Sequence, residues 1–336
     1  MEANGCTDCV MEVSSHAIHQ HRTGDTAFSG GAFTNLSEDH LDYHKTMEAY
    51  FDVKLDFARQ IAAAHPTTPD MGRRDLPPYV VCLDGGYGAG MFNAVGNLAV
   101  NVIGVSAKKV EKTGGGGRRN YDLSALQLVG DYNKSNVLTA AALAEAAGVS
   151  RERIQAVIPT LKPRWGRLEL VENPAVKAKV YVDFAHTPDG LEKVLTAVRK
   201  AMHDDCQSNN QTIKQSNNSL WVVFGAGGDR DPMKRPLMGE VCAKLADKLV
   251  VTSDNPRSED PLKIIDAIMR GVEGVEKVER VVKVEPDRRR AIEIALREAA
   301  EGDVVVIAGK GHETTQEVKG VKYPFDDREV VRQFQG

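Results

Sequence analysis

The chain has 336 residues, 42% of them hydrophobic, with 43 basic against 47 acidic side chains and a formal charge of -4. That length and apolar content support a sizeable buried core in two domains, and the mixed, near-neutral charge argues against a nucleic-acid tract or a polybasic membrane surface. No run approaches the roughly 18 apolar residues of a membrane span, and residues 1–30 lack the basic-then-apolar order of a signal peptide, so the chain reads as intracellular with small-molecule partners.

In chain order, Val10–Val13 is a predicted strand with Cys6-Thr-Asp-Cys9 at its start, the one cysteine pair of five with redox or metal spacing and weak by itself. After it, MEVSSHAIHQHR places Glu12 at a strand end, followed by Ser, His, Gln and Arg. Such polar density suits either a site or a hydrophilic loop. A strand over Gly31–Thr34 leads into FTNLSEDHLDYH, where Asp39, His40, Asp42 and His44 cluster near a helix start for which Ser37 is the expected cap. Histidines with carboxylates suit a divalent cation, and equally a solvated helix start. Met47, Tyr50, Phe51, Lys54 and Leu55 then follow the spacing of a buried helical stripe. Lys54 on that stripe either snorkels its stem over the core or is a desolvated, chemically modifiable lysine.

Strands are predicted at Tyr79–Leu83, Asn101–Val105, Val180–Phe184, Leu220–Phe224, Lys248–Thr252 and Asp303–Ile307, with helical periodicity between them, as at Asn136–Ala147 and Pro236–Leu245. Strand alternating with helix predicts parallel, doubly wound sheets. Ala64–Leu76, Gly114–Gly117 and the Asn/Gln-rich Gln207–Ser219 are read as solvated insertions. A domain boundary is expected at Leu161–Gly166, where Pro163 and Gly166 interrupt a helix.

In doubly wound sheets ligands gather beyond the carboxyl ends of the strands. Four polar loops are expected there: VDFAHTPDG, FGAGGDRD, SDNPR and AGKGHE. The turn with Gly225, Gly227 and Gly228 could present N–H groups to an anion beside Arg230 and Lys234, although it lacks a full dinucleotide fingerprint. In the last loop Lys310 and His312 could approach a ligand and Glu313 could receive an ammonium group. Asp254-Asn255-Pro256-Arg257 reads alone as a turn; beside three companion loops it reads as a recognition loop.

Taken together and in order, MEVSSH, FTNLSEDHLDYH, NKSNVLTA, GRLE, DFAHTPD, FGAGGDRD, KRPLMG, DNPRSEDP, AGKGHE and PFDDRE give a chain that resembles the Mur ligase family of peptidoglycan synthesis, and most closely its MurE type. The resemblance implies an α/β fold of two doubly wound domains, an incomplete central ATP-binding domain over residues 1–163 and a Rossmann-like C-terminal domain over 164–336. It implies ATP-dependent amide ligation through an acyl phosphate, with meso-2,6-diaminopimelate added to UDP-N-acetylmuramoyl-L-alanyl-D-glutamate. Magnesium is expected on Glu12, His40 and a carbamylated Lys54, with Lys54, His40 and Arg167 in catalysis. Ser14, Gln20 and Arg22 match the family's nucleotide-sugar contacts, and Asn133, Asn136, Arg167 and Asp183 its ATP contacts. Arg230, Asp254, Asn255, Pro256, Arg257, Gly309 and Glu313 match the amino-acid site. There a guanidinium suits the distal carboxylate that diaminopimelate has and lysine lacks.

The family carries a Gly-Lys-Thr phosphate loop and an N-terminal domain before the point where this chain begins, and no G-x-x-x-x-G-K-[ST] occurs in it. The chain alone is therefore expected to be inactive. A cytoplasmic monomer is expected, or a plastid protein if the insertions mark a eukaryotic source. The alternatives are a non-catalytic scaffold and a folylpolyglutamate-type ligase.

Overall fold

A computed structural model describes residues 4–107, 121–208, 218–276 and 281–336. The Gly114–Gly117 run and most of the Asn/Gln tract lie outside the described residues. The chain divides into two compact units, one of Met1–Ser124 with Lys134–Ile158 and one of Ala125–Asn133 with Pro159–Gly336.

The first unit runs α1 (Ser15–His19), β1 (Gly31–Phe33), α2 (Leu41–His44), α3 (Met47–Ala64), β2 (Pro78–Cys82), α4 (Gly88–Val95), β3 (Asn101–Val105), α5 (Asp131–Ala146, whose first turn belongs to the second unit) and α6 (Arg151–Val157). Its strands form a parallel sheet in the order β1-β2-β3. One face of β2 places Tyr79 and Val81 against Tyr50, Val53, Phe57 and Ile61 of α3, while the opposite face places Val80 and Cys82 against Ala142 of α5. This alternation is the period of two that a strand covered on both sides requires.

Three expectations fail in this unit. Val10–Val13 forms no strand: Val10 is 97% exposed and only Val13 packs against the core, so no face of the segment is apolar enough to hold it on the sheet. Cys6 and Cys9 are exposed free thiols, and no strand follows them. Ser37 caps nothing, because the helix begins later and is split. His40 precedes α2 with a left-handed φ of 57°, Lys45 breaks the run at φ 70°, and the Thr46 hydroxyl, accepting from Ala49 N at 3.1 Å, caps α3.

The second unit continues with β4 (Glu169–Leu170), β5 (Lys179–Asp183), α7 (Pro188–Ser208), β6 (Leu220–Phe224), α8 (Lys234–Leu245), β7 (Lys248–Val251), α9 (Pro261–Glu273), β8 (Val281–Val284), α10 (Arg288–Glu298), β9 (Val304–Ala308), β10 (Thr315–Val318), β11 (Val321–Pro324) and α11 (Asp327–Gln333). A six-stranded sheet has the order β4-β5-β9-β6-β7-β8, parallel except for β4. Along β6, Leu220, Val222 and Phe224 face α7, α8 and α9, and Trp221 and Val223 face α10 and α11. The sheet is thus doubly wound, as its unbroken apolar strands demand. Among the described residues no helix is long and apolar enough to cross a membrane.

Beneath the carboxyl ends of this sheet lies Arg288, the first residue of α10 and 1% exposed. Its Nε and Nη2 donate to the two oxygens of Asp327 at 2.8 and 2.7 Å, and its Nη1 and Nη2 reach Ser253 O at 3.3 Å and Ala308 O at 3.0 Å. The pair joins α10 and α11 to the ends of β7 and β9. Removing one member strands a buried charge, at a cost of about 3–5 kcal/mol, whereas apolar replacement of both can be nearly neutral. Arg288→Met is therefore expected to lower stability by about that much in urea unfolding, and Arg288→Met with Asp327→Leu by clearly less.

Candidate functional site

In the second unit four loops leave the carboxyl ends of β5, β9, β6 and β7, which are consecutive neighbours in the sheet. The expected row of polar loops is therefore real. Glycines let these loops approach one another. A Cβ on Gly225 would lie 2.2 Å from Thr252 O, on Gly228 2.0 Å from Pro256 O, and on Gly166 2.1 Å from His312 N. Gly228 N donates to Asn255 O at 2.9 Å. The glycine turn therefore seats the Asp254–Arg257 loop, which corrects the anion-cradle expectation for at least that amide.

Asp254 and Asn255 are each 7% exposed, and Pro256 is buried between them and Arg257. Arg257 has a left-handed φ of 50°, a conformation that costs a non-glycine residue free energy unless its surroundings enforce it. They do so through the hairpin of β10 and β11. Arg257 N donates to Glu317 O at 3.0 Å, Lys319 N donates to Arg257 O at 2.6 Å, and the residue bridges in parallel to Val318. Its Nη1 donates to Gly228 O at 2.7 Å and its Nε lies 3.8 Å from Glu317 Oε2.

Next to it, the Asn255 amide nitrogen donates to Glu313 Oε2 at 2.9 Å. Lys310 Nζ donates to the same oxygen at 2.9 Å and to Asn255 Oδ1 at 3.1 Å, and stands 4.0 Å from Asp254 Oδ1. Burial works to raise the Glu313 pKa, but the hydrogen bonds from Lys310 and Asn255 and the charges of Lys310 and Arg257 outweigh it and hold the carboxyl below its usual range. Asp254 Oδ1 is buried without a hydrogen-bond partner. Gly309, at φ 118°, would bring a Cβ to within 3.5 Å of that oxygen. A cluster of fixed charges with one unmet acceptor is chemically suited to a zwitterionic ligand. Arg230 stands exposed on the loop after β6, and its charge, with that of Arg257, acts on Asp229.

At β5, Asp183 is buried; its Oδ2 accepts from Leu168 N and its Oδ1 from Ala185 N, both at 2.7 Å. Burial raises its pKa and these amides only partly oppose that. The carboxylate thus stitches the segment entering the unit to the sheet, a task the sequence did not reveal. Arg167 is exposed and its guanidinium lies 4.8 Å from the Phe184 ring, which also meets His186 at 4.6 Å and His312 at 4.9 Å. Asn133 and Asn136 are three residues apart on α5; Asn133 donates to Val129 O at 2.8 Å and Asn136 is exposed.

In the first unit Ser14 caps α1, its hydroxyl accepting from Ala17 N at 3.2 Å. Arg22 Nη2 donates to Gln20 Oε1 at 2.5 Å, and Gln20 Nε2 donates to Tyr43 OH at 3.2 Å. His40 lies 3.7 Å from Asp39 Oδ2 and edge-on to His16 at 5.2 Å. Lys54 is half-buried on α3; burial lowers its pKa, and the charge of Glu12 only partly restores it. Two of the three expected metal ligands are therefore electrostatic neighbours. Among the described residues no group of three or more His, Cys, Asp or Glu could hold a metal ion. A site here needs Lys54 to change sign. Burial favours the neutral amine, which is the form able to react with carbon dioxide.

Sequence reasoning missed the β10–β11 hairpin and the Arg288–Asp327 pair. The hairpin had a signal: Val318 pairs with Val321 across Lys319-Gly320, both with positive φ (51° and 76°), and a glycine-containing two-residue link between apolar residues marks such a turn. The pair had none, since nothing distinguishes Arg288 from Arg289 and Arg290 in sequence.

Compared with known proteins, residues 1–144 match the Mur ligase middle domain and residues 166–311 the Mur ligase glutamate ligase domain. A protein of Aquifex aeolicus named UDP-N-acetylmuramoyl-L-alanyl-D-glutamate--2,6-diaminopimelate ligase is 40% identical over 338 residues, covering 99% of this chain and 64% of that protein. A protein of the same name from Neisseria meningitidis serogroup B is 38% identical, over 98% of this chain and 64% of its own length. A solved structure bearing that name is 30% identical with a TM-score of 0.52, over 98% of this chain and 64% of that one. The chain thus spans just under two thirds of the length of the relatives it matches.

Because the Lys54 ammonium is held against its hydration preference, its loss should relieve the fold. Lys54→Met is expected to raise stability by on the order of 1 kcal/mol, read as a higher midpoint in calorimetric unfolding at neutral pH. In the wild type, with a folded pKa below the unfolded one, this penalty is full below the folded value and fades as pH rises toward the ordinary lysine range. A lower midpoint for Lys54→Met would show that its ammonium supports the fold.

Proposed function

Since the chain belongs to the Mur ligase family, we propose that it carries the amino-acid site of an ATP-dependent ligase that joins meso-2,6-diaminopimelate to UDP-N-acetylmuramoyl-L-alanyl-D-glutamate. The observation that supports this most is Arg257, held in a left-handed conformation by the hairpin beside Asn255, Lys310 and Glu313. A guanidinium with free edges recognises the distal carboxylate of diaminopimelate, and Glu313 and the unmet oxygen of Asp254 receive its ammonium groups. Gly309 leaves room for that approach. Lysine lacks the distal carboxylate and would cover the remaining edge of the Arg257 guanidinium without meeting its charge.

In the proposed reaction the γ-phosphoryl group of ATP passes to the side-chain carboxylate of the D-glutamyl residue, with ADP leaving. The diaminopimelate amine then attacks the acyl carbon, inorganic phosphate departs, and the amine proton is released. Ser14, Gln20 and Arg22 are proposed to hold the nucleotide sugar, and Asn133, Asn136, Arg167 and Asp183 to serve the ATP end. Glu12 and His40, with Lys54 as a carbamate, are the proposed magnesium ligands. Bound there, magnesium supplies charge neutralisation at the transferred phosphoryl group. The rest of the work is positioning.

Calorimetric titration of this chain is expected to give heat with meso-diaminopimelate and far weaker binding with L-lysine. Arg257→Lys should weaken diaminopimelate about tenfold or more while changing lysine little, since a point charge replaces a planar fork. Equal affinity for the two amino acids would overturn the assignment. In a polypeptide joining this chain to a phosphate loop, phosphate release from ATP should require both the UDP-linked dipeptide and diaminopimelate.

A further inference from the structure

Lys310 is a fully buried cation, 0% exposed, that the proposed chemistry does not consume. It lies in the loop after β9, between Gly309 and Gly311, both at positive φ, so the backbone doubles back and turns its side chain toward the loop after β7. A Cβ on Gly311 would lie 2.6 Å from Gly166 O, so this loop is also pinned from the segment entering the unit.

The ammonium closes a small hydrogen-bond circuit. Lys310 Nζ donates to Asn255 Oδ1 and to Glu313 Oε2; the Asn255 amide nitrogen donates to that same Glu313 oxygen; and Glu317 N donates to Asn255 Oδ1 at 3.0 Å. The Asn255 oxygen accepts from two donors while its nitrogen faces a carboxylate, so the amide has one orientation and not its flipped alternative. Both contacts to Glu313 fall on Oε2, leaving Oε1 for a ligand. We infer that Lys310 is the positioning residue of the amino-acid site: by filling one oxygen of Glu313 and fixing the Asn255 amide it aims the other oxygen at the ligand ammonium. This rests on the diaminopimelate reading above.

The groups facing Glu313 are Lys310 on its own loop, Arg257 and Asp254 on the loop after β7, and Arg288 of α10 from behind. Without Lys310, two carboxylates remain near one another with a single close cation fewer, and Glu313 takes up a proton at higher pH. Ligand binding then becomes pH-dependent where it was not. A residue that merely filled space would not have that effect.

The test is calorimetric titration of meso-diaminopimelate into the whole chain at several pH values between 5 and 8, for the wild type, Lys310→Met and Lys310→Gln, with circular dichroism to confirm folding. Lys310→Met is expected to bind about tenfold or more weakly at the upper end and to lose further affinity as pH falls, while the wild type stays flat. Lys310→Gln keeps a donor without the charge and, where Met does not fold, is the deciding variant, with the same pH-dependent loss in milder form. A folded Lys310→Met or Lys310→Gln protein with wild-type affinity and a flat profile would overturn the positioning role. Failure of the wild type itself to bind diaminopimelate would instead overturn the functional reading beneath it.

Discussion

The buried pair of Arg288 and Asp327 is the constraint on which the candidate site rests. One guanidinium satisfies a carboxylate on α11 and the carbonyls of Ser253 and Ala308, the residues that lead from β7 and β9 into their loops. Carbonyls at strand ends have lost their ladder partners, and beneath a layer of side chains no water replaces them. A cation that meets two such carbonyls and a carboxylate at once fixes the relative height of the two loops. Beside the same loops Lys310, equally buried, repeats the arrangement with side-chain acceptors in place of backbone ones.

This arrangement accounts for the uneven charge of the cluster. Arg288 and Lys310 are fully buried, at 1% and 0% exposure, and Arg257 is half-buried, and together they face Asp254, Glu313 and Glu317. The deeper cations are fully engaged by the protein, and Arg257 is the one whose contact with a carboxylate is loose, at 3.8 Å. A ligand therefore meets a surface already neutralised from below, where binding requires displacing a weak contact and not desolvating a bare charge.

Much of this could be read from the sequence. Apolar runs such as Leu220–Phe224 and Asp303–Ile307 named the buried strands, and polar loops after them named the site, because parallel strands covered on both faces leave chemistry no place but their ends. The first unit was less legible. Val10–Val13 has strand composition but lies on no sheet, and the helix expected after Ser37 breaks at Lys45, whose positive φ composition does not encode. Asp183 also holds two backbone amides, a task that could not be read in sequence because it depends on where Leu168 returns to the sheet. Arg288 was hidden among three adjacent arginines, where only the turn of α10 selects the one that goes inside.

The backbone of Arg257 is held by residues 60 and more positions further along the chain, through Glu317 and Lys319. Its conformation is therefore a long-range property, dependent on the turn at Lys319-Gly320 and the hairpin that this turn closes. The motif Asp-Asn-Pro-Arg is half of a recognition element whose other half is a hairpin with no ligand-binding character of its own. Transplanted into another scaffold without that hairpin, the four residues would relax toward an ordinary turn and take their selectivity with them.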